Sequence, residues 1–210
     1  MRSFTIISIA ISFTLAGCAS GMDSAECVTA DWRAIGYEDG SQGRGAGSFA
    51  ARRKACAEHG VTPKFEAYMA GRDKGLAQFC RPQNGYRLGV RGYRYSGICP
   101  SEQEPAFQAA HTDGYGLYQR RATVSKVGKR LRNSKRRANK IEIKLVETTA
   151  QLVAAGVEIT KRAAMGVEIK QLADEKAALE LAIHRLEQEY AAAKQEYDAY
   201  RIRIALRRGG

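Results

Sequence analysis

Proline, histidine and tryptophan are scarce in this chain: four, three and one among 210 residues. Few prolines leave long stretches free to be helical, and three histidines leave little material for metal binding or proton transfer. The sequence holds no phosphate loop, no nucleophile elbow and no paired-cysteine zinc signature. The longest uncharged apolar stretch lies within the first twenty residues, and acidic residues are absent between Arg120 and Lys140. An enzyme reading therefore has little to stand on, and the informative segments are the start of the chain, its cysteines and its basic tail.

The chain opens MRSFTIISIAISFTLAGCAS. Arg2 supplies a positive start, Phe4 to Leu15 an apolar stretch too short to span a bilayer, and small residues follow, the layout of a secretory signal peptide. Leu15, Ala16, Gly17 and Cys18 resemble the lipobox of bacterial lipoproteins, where the cysteine thiol takes a diacylglyceryl group before cleavage ahead of it. Small residues at 16 and 17 let extended backbone enter a peptidase groove, and only cysteine offers a thiolate nucleophile. The competing readings are an ordinary signal peptide and a buried strand. Ala19 stands where an Asp would direct inner-membrane retention, so the resemblance implies an outer-membrane lipoprotein facing the periplasm, held by acylated Cys18.

Lysine and arginine outnumber aspartate and glutamate 34 to 22, a formal charge of +12; losing Arg2 with the leader leaves about +11. In the cytoplasm that balance would suggest nucleic acid. Outside it, the available anions are lipid and lipopolysaccharide phosphates and wall carboxylates, and no nucleic acid is expected.

With Cys18 acylated, Cys27, Cys56, Cys80 and Cys99 remain, an even set that reads as two disulfides in an oxidising compartment. Three connectivities are open. Cys27 precedes one expected helix and Cys56 ends the next, so a helical hairpin favours 27 with 56. The stretch NGYRLGVRGYRYSGIC can loop back to deliver Cys99 to Cys80. The rival is a zinc site using Cys56 and His59, one helical turn apart, but no second ligand pair accompanies them.

Residues 18–28 read as anchor and tether. Helices are expected from about Asp31 to Gln42, from a Ser48 cap to Gly60, and from a Thr62 cap with Pro63 in the first turn. Residues 82–100 read as turns with short extended pieces. Ser101 with Glu104, or Pro105, would start the next helix. Three segments share a theme, W32RAIGYEDG, A67YMAGRDKG and A106FQAAHTDG, with small residues four apart at Gly36 and Gly40, Gly71 and Gly75, and Ala110 and Gly114. A glycine inside a helix costs about 0.8–1 kcal/mol relative to alanine, so the pattern needs an offsetting gain. Close helix packing supplies one. A ligand groove lined by Trp32, Gly36, Asp39, Gly40, His59, Tyr68, Gly71, Gly75 and His111 is the functional alternative.

From Arg120 the chain reads RRATVSKVGKRLRNSKRRANK. Beneath those charges Val124, Val127, Leu131, Ser134, Ala138, Ile141, Leu145, Thr148, Leu152, Ala155 and Ile159 step by three and four, a heptad seam. A second seam follows: Met165, Ile169, Leu172, Lys176, Leu179, Ile183, Leu186, Tyr190, Ala193, Tyr197, Tyr200 and Ile204. Between Ile159 and Met165 the step is three plus three, a stammer. The tail is either one long helix that needs partner chains or a hairpin folded near Gly156 to Gly166. Without a Pro, Asn or Asp turn signal there, the continuous helix is favoured, with Gly128 weakening its seam. Arg120, Arg121, Lys126, Lys129, Arg130, Arg132, Lys135, Arg136, Arg137 and Lys140 form either a solvated face or a contact surface for an anionic polymer.

Taken in order, DWRAIGYEDGSQG, RRKACAEHGVTP, YMAGRDKGLAQFC and GYRYSGICP behind a lipobox resemble the lipoprotein family catalogued as domain of unknown function 2799. The matching residues are Trp32, Gly36, Asp39, Gly40, Cys56, His59, Gly60, Tyr68, Gly71, Gly75, Cys80, Gly97, Cys99 and Pro100, within about residues 25–118. The resemblance implies a Gram-negative envelope lipoprotein with a cysteine-containing domain and a helical extension. It carries over no catalytic role.

The chain is thus expected to be mainly α: a leader at 1–17, a tether at 18–28, a disulfide-stapled helical domain at 29–118 with a Gly/Tyr-rich irregular segment, a basic coiled-coil-like arm at 119–206, and a disordered tail at 207–210. No cofactor, metal or catalytic residue is implied. The expected role is structural or interactive, through self-association or an envelope partner. Alternatives are a binding module for lipopolysaccharide, peptidoglycan or a small ligand, and, with least support, a hydrolase in which His59 pairs with Asp39 or Asp73.

Overall fold

A computed structural model describes residues 22–45 and 47–209; the leader, Cys18 and Ala19 lie outside the described residues. The described chain is helical: α1 (Ser24–Thr29), α2 (Trp32–Ser41), α3 (Gly47–Ala57), α4 (Phe65–Phe79), α5 (Pro82–Val90), α6 (Glu104–Leu152) and α7 (Ile159–Gly209). It divides between Phe79 and Cys80 into two compact units, and each closes its own disulfide: Cys27 with Cys56, and Cys80 with Cys99. Both expected pairings are present. The zinc alternative falls, since Cys56 has no free thiolate to offer.

Unit 1 is built on α2 and α4. Asp31 starts α2 by accepting from the backbone N–H of Arg33 and Ala34 at 3.0 and 3.1 Å. The two helices run parallel and meet through glycine. A Cβ on Gly36 would lie 2.0 Å from the Tyr68 carbonyl oxygen, one on Gly40 2.2 Å from that of Arg72, one on Gly71 1.9 Å from that of Arg33, and one on Gly75 2.2 Å from that of Tyr37. Each glycine thus turns a Cα hydrogen toward a carbonyl of the other helix, contacts worth about 0.5–1 kcal/mol apiece. The theme noted at Gly36/Gly40 and Gly71/Gly75 is packing, and no ligand can enter the crossing. The core beside it joins Cys27, Trp32, Phe49, Cys56 and Tyr68. The Phe49 and Tyr68 rings lie 4.7 Å apart.

Unit 2 repeats the plan with α5 and the first turns of α6. Cβ atoms on Gly85, Gly89 and Gly114 would strike the carbonyl oxygens of Phe107, His111 and Tyr86 at 2.5, 2.2 and 2.2 Å. The correspondence runs through the sequence. Gly36-Tyr37, Gly40 and Gly43 match Gly85-Tyr86, Gly89 and Gly92; Tyr68, Gly71, Gly75 and Phe79 match Phe107, Ala110, Gly114 and Tyr118. Gly43 and Gly92 both adopt positive φ (70° and 81°) and rest on the Phe79 and Tyr118 rings. Both helices end the same way: Gly43 and Arg44 donate to the carbonyls of Gly40 and Asp39 (3.0 and 2.8 Å), as Gly92 and Tyr93 donate to those of Gly89 and Leu88 (2.8 and 3.1 Å). In each unit the cystine ties the segment ahead of the first helix to the segment ahead of the second. Like dipole ends meet when helices run parallel, and the covalent staple sits at that end. Closing loops of 29 and 19 residues removes about 3–4 kcal/mol of unfolded-state entropy each.

Beyond Tyr118, α6 continues without a break to Leu152 and α7 returns along it, so the arm is a hairpin and the expected continuous helix is overturned. Gly156, at φ 77°, supplies the reversal, and Arg162 donates to the carbonyls of Ala154 and Val157 at 3.0 and 3.2 Å. A lone glycine and a cation on exposed carbonyls thus replaced the usual turn signals. Both seams face inward as expected, from Val124 to Leu152 and from Met165 to Ile204, whereas Ala155 and Ile159 at the turn are exposed. Gly128 does not weaken the seam: it receives the Tyr190 ring, as Gly116 receives Tyr200.

Local expectations needed other corrections. The segment after Pro82, expected to be irregular, forms α5, because Pro82 opens the helix and Gly85 and Gly89 serve the crossing. Residues 24–29, expected to belong to a tether, form α1 under a capping box of Asp23 and Glu26. Ser48 lies inside α3, Thr62 and Pro63 precede α4 at Phe65, and α6 starts without a side-chain cap. Residues 207–209 are helical.

Because a methyl group at the crossings must displace backbone, Gly40→Ala and Gly89→Ala are expected to cost at least about 1–3 kcal/mol. Gly166→Ala, in α7 with nothing within 4 Å, is expected to stabilise by about 0.8–1 kcal/mol. Denaturant unfolding of the three oxidised variants reads the difference in sign.

Candidate functional site

Glycine at position 40 brings α2 so close to α4 that the preceding residue, Asp39, is driven inward to 1% exposure. A buried carboxylate must be paired and hydrogen-bonded, and this one is. Arg52 of α3 reaches it with two nitrogens, Nη1 on Oδ2 and Nη2 on Oδ1, the latter at 3.0 Å. Arg44 Nη1 donates to Oδ1 at 3.2 Å and the Tyr68 hydroxyl to Oδ2 at 2.8 Å. Burial alone pushes the Asp39 carboxyl up, but donation from Arg52 and Tyr68 and the charges of Arg52 and Arg44 outweigh it and leave it below its ordinary value. Burial and the hydrogen bond to that carboxylate push the Tyr68 hydroxyl up to about 12.

Unit 2 is an internal control. At the place of Asp39 it has Leu88, at Arg44 it has Tyr93, and at Tyr68 it has Phe107. The helix pair therefore forms without any of the four polar groups, and the Asp39 centre is an addition to the fold. Other polar contacts are shared. Arg72 Nη2 donates to the Arg44 carbonyl at 3.2 Å, and His111, at Arg72's position in the second pair, places Nε2 2.8 Å from the Tyr93 carbonyl. A carbonyl only accepts, so Nε2 carries the hydrogen. His111 fixes the end of α5, stacked near-parallel between Phe107 and Tyr115.

The residues singled out for a ligand groove divide accordingly. Trp32, Gly36, Asp39, Gly40, Tyr68, Gly71 and Gly75 converge in unit 1, as core, crossing and charged centre. His59 does not join them: it is exposed in the turn that ends at Gly60, whose φ is 71°. Arg44 and Arg52, which complete the centre, carry no pattern signal; the readable hint was Asp39 inside a glycine-paired helix. Among the described residues no cluster of three His, Cys, Asp or Glu is arranged to hold a metal.

The basic run also divides. Arg120, Arg130, Lys135 and Arg137 pair across the hairpin with Glu196, Glu189, Glu187 and Glu175 at 2.6–3.4 Å, and Arg121 donates to the Val90 carbonyl at 3.1 Å. Lys126, Lys129, Arg132, Arg136 and Lys140 are exposed and have no carboxylate partner among the described residues. No helix among the described residues is long and apolar enough to cross a membrane.

A family model described as protein of unknown function (DUF2799) matches residues 31–116, which takes in both helix pairs and stops where the arm leaves them. No curated protein and no solved structure matches the chain.

Breaking the buried pair by Asp39→Asn is expected to cost about 3–5 kcal/mol, and Tyr68→Phe about 1.5–3 kcal/mol. The double change Asp39→Leu with Tyr68→Phe imports the residues of unit 2 and is expected to cost less than the two single changes together. The pH profile follows in sign. Asp39 is lowered on folding, so its stabilisation is present above its ordinary value near 3.8 and is lost as pH falls through the folded value. Tyr68 is raised, so its share is present below 10 and is lost between 10 and about 12. Tyr68→Phe removes this share of the alkaline loss in stability measured against pH, while the raised Tyr95 hydroxyl still contributes its own.

Proposed function

We propose, from the membership of residues 31–116 in the DUF2799 family, that this protein is a cell-envelope lipoprotein with a structural or interaction role. Acylated Cys18 holds it in the outer membrane on the periplasmic side. The observation that carries this reading is the pair of cystines, one at the shared N-terminal end of each parallel helix pair. Two stapled units in one chain suit an oxidising compartment, and a chain that starts with a signal-like leader ending in Leu15-Ala16-Gly17-Cys18 has a route to one. The working element is the hairpin of α6 and α7. Each helix spans about 75 Å at 1.5 Å per residue, and such a length serves reach better than catalysis. A hydrolase gains no support, because His59 meets neither Asp39 nor Asp73.

Mass spectrometry of the intact protein from cells tests the reading. A chain that lacks residues 1–17, carries acyl mass on Cys18 and gains four hydrogens on reduction is expected. An unmodified chain beginning at Met1 with five free thiols contradicts it.

A further inference from the structure

The hairpin carries two exposed features that its own folding does not use. Lys126, Lys129, Arg132, Arg136 and Lys140 follow one another along the outer side of α6, away from the seam. They place five positive charges along about 21 Å of straight helix, with no acidic residue interleaved. The second feature lies further along the same helix and around the turn. Ile143, Val146, Val153, Ile159 and Val167 are 51–84% exposed, so the tip of the hairpin presents β-branched aliphatics to water. These five flank one turn, and exposed aliphatics gathered at one end of an element mark a surface that is covered in use; Leu181, Ile202 and Leu206 are exposed further along α7.

We propose that the tip and the outer side of α6 dock on an anionic lipid bilayer, with the aliphatics entering the headgroup boundary and the cations resting on lipid phosphates. Either feature alone fits several partners. A polyanion such as a wall polymer satisfies the cations but leaves the aliphatics in water, and an apolar protein groove does the reverse. An anionic membrane satisfies both, with charge outside and hydrocarbon just beneath. The row of cations runs toward the tip, so one tilted approach engages the two together. This contact does not require the acyl group on Cys18 and is separable from it.

Ile159→Trp places a reporter at the most exposed of these positions. Full-length protein with this change is mixed with vesicles of phosphatidylglycerol and acyl-brominated phosphatidylcholine, or of the brominated phosphatidylcholine alone, and the wild-type chain corrects for Trp32. Quenching and a blue shift that need phosphatidylglycerol are expected. A lysine or arginine beside such a surface multiplies partition about fivefold. Replacing the five cations with glutamine should therefore weaken binding on the order of a thousandfold, with the helical circular dichroism unchanged. A reporter that stays unquenched in anionic vesicles overturns the proposal, including the case where the protein pellets with cell wall. The anchor is scored apart by flotation with neutral phosphatidylcholine vesicles, to which the tip does not bind: Cys18→Ser is expected to lose flotation there while its reporter stays quenched in anionic vesicles, and loss of that quenching would show that the tip contact depends on the anchor and overturn the proposal.

Discussion

Carbonyl oxygens of one helix lying against the Cα atoms of another constrain everything else in residues 31–118. At Gly36, Gly40, Gly71 and Gly75, and again at Gly85, Gly89 and Gly114, a methyl group would sit 1.9–2.5 Å from a backbone oxygen. Backbones that close exclude side chains from the crossing, so the cores form to one side of it. In unit 1 that side is Trp32, Phe49 and Tyr68; in unit 2 it is Phe107, with Tyr95 at 4.9 Å. The helices are parallel, which their dipoles disfavour, and a cystine holds the like ends of each pair together.

Two copies of one plan separate what the fold needs from what was added. Both copies keep the glycines, the left-handed residue that ends the first helix, the aromatic ring beneath it, and a side-chain donor on the carbonyl one residue later, from Arg72 in one and His111 in the other. Only the first has a buried charge. Asp39 is surrounded by enough donors to remain ionised, and the alternative at Leu88 and Phe107 costs the second pair nothing in architecture. The charge therefore imposes specificity on unit 1: Arg52 must approach from α3, and so fixes that helix against the pair.

Much of this was legible in the residues. The heptad steps from Val124 to Leu152 and from Met165 to Ile204 all fall on the inward side of the arm helices, because burial of a helix stripe follows a 3.6-residue period whatever lies opposite; Gly128, buried beside them, lies off those steps. The disulfide pairs followed from cysteines flanking helices. The reversal at Gly156 was not legible: one glycine among several, stabilised by Arg162 from the next helix, leaves no local signature. Nor was α5, whose glycines resemble loop composition until their partners on α6 are known. The second helix pair was missed for that reason, although GYxxGxxG at Gly36 and Gly85 was its signature. Arg52 on Asp39 is a contact between residues thirteen apart and has no periodic mark.

The proposed envelope role and the proposed bilayer contact at the tip both assume that the helix pairs are the rigid part of the molecule and the turn of the arm its loosest. Hydrogen–deuterium exchange on the intact oxidised protein reads that directly. Amides in 36–43, 71–79, 85–92 and 110–118 should exchange last, and those in 150–162 first. Fast exchange at the glycine crossings, with slow exchange through the turn, would contradict the account.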